Sequence, residues 1–267
     1  CFICFFICAF HFYLFSSYGS FNTTSNFFKT NIGTGKWAVK FAATLNYSDN
    51  DYTFVDTRYK NSDGSLLKNE NGVYKNYGVN FSLGYKFSHK NKLYFYTTGY
   101  YGDRLFSDGL PNPAAGSERN EDFNQRNLLK WKYSFSNFTQ TVNIAYLTQE
   151  YRYYDDKNAT DFVFGKSKNY NFKYNLKYRF SNYLKMETSL IYDENKGTTN
   201  EIFSKKRTFF TGLAKVTYKP TEKLTTAINF RKESNSDFEV PLLISVAAEQ
   251  EITGNLVLKA NVSTNFR

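Results

Sequence analysis

From Tyr170 to Phe180 the chain reads Tyr-Asn-Phe-Lys-Tyr-Asn-Leu-Lys-Tyr-Arg-Phe, with an apolar or aromatic residue at every even position and Asn, Lys or Arg at every odd one. A strand turns successive side chains to opposite faces, so eleven residues of this pattern give one wholly greasy face and one wholly polar face. The same register recurs in Phe81, Leu83, Tyr85 and Phe87 against Asn80, Ser82, Gly84 and Lys86. It recurs again in Leu224, Thr226, Ile228 and Phe230 against Thr225, Ala227, Asn229 and Arg231, and more weakly in Leu256, Leu258, Ala260 and Val262. No stretch sustains a period of 3.6, so helix is at most a minor component.

Short turn signals fall at Gly33-Thr34-Gly35, His89-Lys90-Asn91, Ser136-Asn137, Ser181-Asn182, Pro220-Thr221-Glu222 and Gly254-Asn255. Longer polar connections lie between them, at Asp56 to Asn71, Ser107 to Glu121, Asp155 to Asp161, Asn195 to Ser204 and Ser234 to Glu239. Short and long links therefore alternate, which in an up-and-down meander collects the turns at one end and the loops at the other. This spacing predicts about twelve strands. Aromatics crowd the turn end: Trp37, Phe87, Tyr94, Phe135, Phe138, Phe180, Tyr183 and Tyr218. An amphipathic ring rests well at the headgroup depth of a bilayer.

Alternation alone fits any antiparallel sheet with one buried face. Length separates the cases: soluble strands average about 5 to 6 residues, whereas a tilted strand needs about 9 to 11 to cross the hydrocarbon layer. An open edge is intolerable in lipid, so such a sheet must close. The expected fold is all-β, an antiparallel up-and-down transmembrane β-barrel that is incomplete, its strands belonging to a larger barrel. Lys173, Asn175, Lys177 and Arg179 would face a hydrated lumen, with the rings turned to acyl chains. A soluble sandwich or secreted adhesin is the competing architecture.

The chain of 267 residues holds 28 Phe, 23 Tyr and 2 Trp but only 4 Pro, and its mean hydropathy is negative. The apolar residues are thus interleaved with polar ones, which excludes a polytopic helical membrane protein, and the aromatics argue against disorder. The net charge of +10 would suit a phosphate-rich partner. Nucleic acid would want the cations gathered on one element beside exposed rings. Here Lys86, Lys132, Lys177, Arg179 and Lys215 are scattered along strands, so no nucleic-acid partner is expected. A polar lumen and contact with lipopolysaccharide account for them.

Residues 1–15, Cys-Phe-Ile-Cys-Phe-Phe-Ile-Cys-Ala-Phe-His-Phe-Tyr-Leu-Phe, hold all three cysteines and no charge. They are too short to span a bilayer as a helix and lack the cationic start and cleavage site of a secretory signal. They read as an apolar leader of uncertain authenticity, preceding a barrel region at 16–267, and the whole reads as a fragment. Cys1, Cys4 and Cys8 read as inert apolar fillers, because a metal site would need further ligands than the distant His11.

Catalytic chemistry finds no support. His11 and His89 offer no acid–base pair, and the single Met and the three cysteines offer no nucleophile arrangement. Gly33-Thr34-Gly35-Lys36 lacks the spacing of a phosphate loop and reads as a β-turn. Asp49-Asn50-Asp51 and Asp155-Asp156 could lend oxygens to Ca2+, although solvated acidic loops explain them more simply. Arg104 and Arg119 flank a long loop and could meet an anionic solute, with loop solvation the plainer account. No cofactor, metal or catalytic residue is assigned, and no substrate-binding residue can be chosen.

Three stretches carry a family resemblance. Ser17-Tyr-Gly-Ser-Phe21 resembles the early barrel strand of bacterial TonB-dependent outer-membrane receptors. Ala43-Thr-Leu-Asn-Tyr-Ser-Asp-Asn-Asp-Tyr52 resembles the next strand of that family, running into an aromatic and acidic loop. Ser263-Thr-Asn-Phe-Arg267 resembles the start of its Phe-Arg-x-Pro-Thr segment. The Asn, Lys, Tyr and Phe bias is similar to Bacteroidetes-type members. The resemblance implies a barrel of 22 strands with an N-terminal plug that contacts the TonB complex. It also implies energised import of a siderophore, cobalamin or glycan-type solute across the outer membrane. A non-transporting surface adhesin and a passive porin are the alternatives.

Overall fold

The computed structural model describes residues 9–55, 66–107 and 116–266. The described residues form β1 (Ala9–Gly19), β2 (Thr23–Gly33), β3 (Trp37–Ser48), β4 (Thr53–Val55), β5 (Leu66–Lys68), β6 (Tyr74–Lys86), β7 (Asn91–Leu105) and β8 (Arg119–Phe135). They continue with β9 (Phe138–Tyr154), β10 (Val163–Arg179), β11 (Leu184–Thr199), β12 (Lys205–Tyr218), β13 (Leu224–Asn235), β14 (Leu243–Thr253) and β15 (Leu256–Ser263). Thirteen of them make one antiparallel sheet in the order β1-β2-β3-β6-β7-β8-β9-β10-β11-β12-β13-β14-β15, and β4 and β5 form a small separate hairpin. The sheet is not closed: β1 and β15 each have one neighbour in it.

All six predicted tight turns join neighbouring strands, and β3, β7, β9, β11 and β13 end at the opposite end of the sheet, where the long connections are predicted; two of these are shorter than predicted, because residues 119–121 belong to β8 and 195–199 to β11. Of the first two loops, residues 56–65 and 108–115, with Pro111 and Pro113, lie outside the described residues. The strand expectation falls short by one in the main sheet. β1 runs through residue 15 and pairs with β2 from Ala9↔Gly33 to Gly19↔Thr23, so residues 9–15 belong to the sheet. Cys1, Cys4 and Cys8 lie outside the described residues. The β1–β2 link is a tight turn at the loop end, the one exception to the alternation. Thr23 donates its N–H to the Ser20 carbonyl at 3.1 Å, and Phe21 and Asn22 both have positive φ, 58° and 54°. That is the type I′ geometry whose sequence signature is Asn-Gly, and Phe at the first central position hides it.

β8, β9 and β10 each run to 17 residues, well beyond an ordinary soluble strand. No helix occurs among the described residues. The accessible surface is 17975 Å2, against about 12,000 Å2 for a compact protein of this mass. Only Ala38, Tyr154 and Val240 are buried hydrophobic residues among those described. The sheet has two surfaces and no apolar interior.

The loop end is tied by polar groups. Asn69 and Asn71 are fully buried. Asn71 donates Nδ2 to the carbonyls of Phe106 at 2.5 Å and Glu118 at 3.1 Å, and its Oδ1 accepts from Lys157 Nζ at 3.3 Å. One side chain thus links the β5–β6, β7–β8 and β9–β10 connections. Removing it orphans the Phe106 carbonyl, at about 1–3 kcal/mol, while the Glu118 carbonyl keeps the Phe106 N–H at 3.0 Å. Asn71→Ala is expected to speed hydrogen exchange about 10- to 100-fold in these three connections, with the amides of β9 and β10 unchanged.

Candidate functional site

Directly opposed residues in an antiparallel ladder share a face, so the pairing registers assign every strand side chain to one surface. Phe172 stands opposite Ile144 on one side and Tyr192 on the other, and Tyr192 stands opposite Phe210. Tyr174 joins Val142 and Leu190 in the next row. The same surface carries Leu83 and Phe95, then Leu129. It continues through Ile228 and Val246. Most of these side chains are exposed, Ile144 and Phe210 by 50% each, and Leu83, Phe95, Val142 and Tyr174 are half-buried. Lys173, Asn175, Lys177 and Arg179 occupy the opposite surface, as expected, beside Asn143 and Thr141. So do Lys86, Lys132 and Lys215.

At the turn end the apolar surface gains a row of rings. Trp37 packs on Tyr85 at 4.2 Å and Tyr85 on Phe87 at 4.7 Å. Phe138 meets Tyr133 and Phe135, and Tyr178 meets Phe180 at 4.6 Å. Tyr94 departs from the expectation: it pairs in register with Lys130 and lies on the polar surface, stacked near Tyr96. Proximity to a turn fixed its height in the sheet and not its side.

Toward the loop end the apolar surface changes to charge. Arg119 donates Nε to Asp103 Oδ1 at 2.8 Å and Nη2 to Glu121 Oε1 at 2.6 Å. Glu150 takes Arg152 at 2.8 Å and Lys166 at 2.7 Å. Arg119 is therefore bound into a strand-end ion network, not solvated in a loop or free for a solute. Arg104 lies on the polar surface, 3.4 Å from Asp122. Further round, Lys168, Lys196 and Lys206 stand directly opposite one another on three strands, and Glu194 pairs with Lys196 at 3.0 Å and Lys206 at 2.7 Å.

Three of the four acidic loop candidates, Asp49, Asp51 and Asp156, have polar partners. Asp51 pairs with Lys68 at 2.7 Å, and the hydrogen bond from that ammonium holds its carboxyl below the usual carboxylate range. Asp49 accepts the Tyr47 hydroxyl. Asp156 accepts the backbone N–H of Asn158 at 2.7 Å, organising a turn. Among the described residues no group of three His, Cys, Asp or Glu side chains could hold a metal. His11 lies in β1, His89 in the β6–β7 turn, and residues 34–36 form the β2–β3 turn.

No protein-family model and no curated protein sequence matches this chain. Solved structures do. The chain is similar in fold to the FrpB iron transporter of Neisseria meningitidis, with TM-score 0.67 and 11% identity over 93% of this chain and 44% of that one. It is similar to the siderophore receptor PirA of Pseudomonas aeruginosa, with TM-score 0.66 and 12% identity over 94% and 41%. A ferric enterobactin receptor mutant, PfeA of the same organism, gives 0.66 and 10% over 94% and 42%. The sheet thus has the fold of part of an outer-membrane β-barrel, and the chain spans less than half the length of these structures.

The ion network yields a test. Asp103 and Glu121 stand directly opposite each other, and Arg119 is the bridge between them. Arg119→Ala is expected to lower the thermal unfolding midpoint of the detergent-solubilised protein. The cost is about 1–2 kcal/mol after allowing for partial exposure. Adding Asp103→Asn, which removes one of the facing carboxylates, is expected to restore part of it.

Proposed function

We propose that this chain forms part of the wall of a transport barrel in the bacterial outer membrane. In this reading the longer protein imports a scarce, large solute of the siderophore, cobalamin or glycan kind, with TonB coupling through a plug outside these residues. One observation carries the reading: a sheet of strands up to 17 residues long leaves a continuous apolar face uncovered. Water would penalise that face at about 25 cal/mol for each Å2, whereas acyl chains would not. The similarity to iron and siderophore receptors supports import over passive diffusion.

The apolar face then meets lipid, the polar face lines a lumen, and the tight turns lie on the periplasmic side. The ring-bearing turn end suits the inner headgroup layer. Lys168, Lys196 and Lys206, two rows toward the loop end from Phe172, Tyr192 and Phe210, suit the phosphates of lipopolysaccharide.

A sided substitution pair tests this. Ile144 sits on the apolar face and Ala145 on the other. Ile144→Arg would place a guanidinium in hydrocarbon at about 2–4 kcal/mol and is expected to deplete folded full-length protein from the outer membrane. Ala145→Arg is expected to leave it at the wild-type level. Equal tolerance of both, or recovery without detergent, would contradict the proposal.

A further inference from the structure

We infer that the polar face carries a binding groove for a neutral, polyhydroxylated solute, an oligosaccharide, at the loop end between β8 and β12; this rests on the transport reading above.

A cavity of about 460 Å3 opens there, within the range of about 300–1,000 Å3 typical of small-molecule sites. Its floor is two adjacent cross-strand rows. The first runs Asn124, Gln149, Ser167, Gly197, Lys205 over five consecutive strands. The second runs Asp122, Tyr151, Gly165, Thr199. Glu150 and Lys166 also line it but belong to the other face, where they pair with each other at 2.7 Å.

The polar groups of the first row are free. At several other places on this face, facing polar side chains satisfy one another. Ser25 donates to Asn46 at 2.6 Å, Asn46 to Asn76 at 2.8 Å, Asn171 to Asp193 at 2.6 Å and Ser189 to Asn175 at 2.8 Å. Asn124, Gln149 and Ser167 are directly opposed in the same way, yet none makes a side-chain hydrogen bond among the described residues. Two carboxamides and a hydroxyl therefore present donors and acceptors to whatever enters.

Tyr151 supplies an apolar platform in the row above. A Cβ on Gly165 would run into the Tyr151 ring, so the ring rests on that glycine. The residue remains 46% exposed. A ring face for the C–H surface of a pyranose, beside amides that match vicinal hydroxyls, is an arrangement for a sugar. Charge supports the choice of a neutral solute. The groove's own face offers one carboxylate, Asp122, already 3.4 Å from Arg104, and one ammonium, Lys205. A polyanionic iron chelate would want a clear cationic excess.

The test uses the full-length protein in detergent, probed with an array of neutral oligosaccharides and, separately, with the iron(III) tris-catecholate complex. Binding of a neutral oligosaccharide is expected. Tyr151→Ala should weaken it at least 10-fold, and Gly165→Ala, which displaces the ring while keeping Tyr151, should do the same. Tyr151→Phe should retain it. Binding of the catecholate alone, no oligosaccharide binding, or affinity indifferent to both alanine variants would overturn the inference while leaving outer-membrane transport standing. Failure of the wild-type protein to reach the outer membrane would instead remove the transport reading and this inference with it.

Discussion

Backbone hydrogen bonding is the constraint from which the rest follows. Hydrocarbon offers no partner to an N–H or C=O group, so a strand in that medium must find both neighbours within the sheet. The ladders here are continuous over as many as 17 paired positions, as between β8 and β9, and bulges are nearly absent. The one register shift in the main sheet falls between Glu251 and Thr253, at the turn end. β1 and β15 each keep one open side, and a sheet of this kind in a membrane requires both to be paired. The solved barrels that it resembles are more than twice its length.

Once the ladder is fixed, chemistry sorts by face. Apolar side chains that would form a core in a soluble protein stay uncovered, and polar ones hydrogen-bond across strands on the other surface. The apolar face ends in rings at the turn side and in ion pairs at the loop side, a change of character over a few residues along the same strands. In β10 the outward positions pass from Phe172 to Lys168 to Lys166, the last paired with Glu150. Such a gradient has no use in a uniform solvent. It matches a layer with a hydrocarbon middle and charged margins.

The period of two is legible in the sequence because it is local, and it locates β6, β10 and β13 with the correct face for each residue. The turns are legible where Gly, Pro, Asn or Ser marks them. The first turn is not, since Phe21 takes a left-handed conformation without the usual residue, and β1 is concealed by its even hydrophobicity from Phe10 to Phe15. The faces of Tyr94 and Arg119 depend on register with distant strands, which no short window contains. The groove between β8 and β12 is illegible for the same reason. Asn124, Gln149 and Ser167 are unremarkable apart, and their alignment exists only through two ladders.

The central claim, that alternate residues of one strand meet lipid and water, is open to direct measurement. Spin labels placed singly at positions 169 to 178 of β10 in the bilayer-embedded full-length protein, with Cys1, Cys4 and Cys8 replaced, would report collisions with oxygen and with a water-soluble nickel chelate. Oxygen accessibility is predicted to peak at 170, 172, 174, 176 and 178 and nickel accessibility at the odd positions, the two out of phase with a period of two. In-phase profiles, or even positions shielded from both reagents by packed protein, would contradict the account.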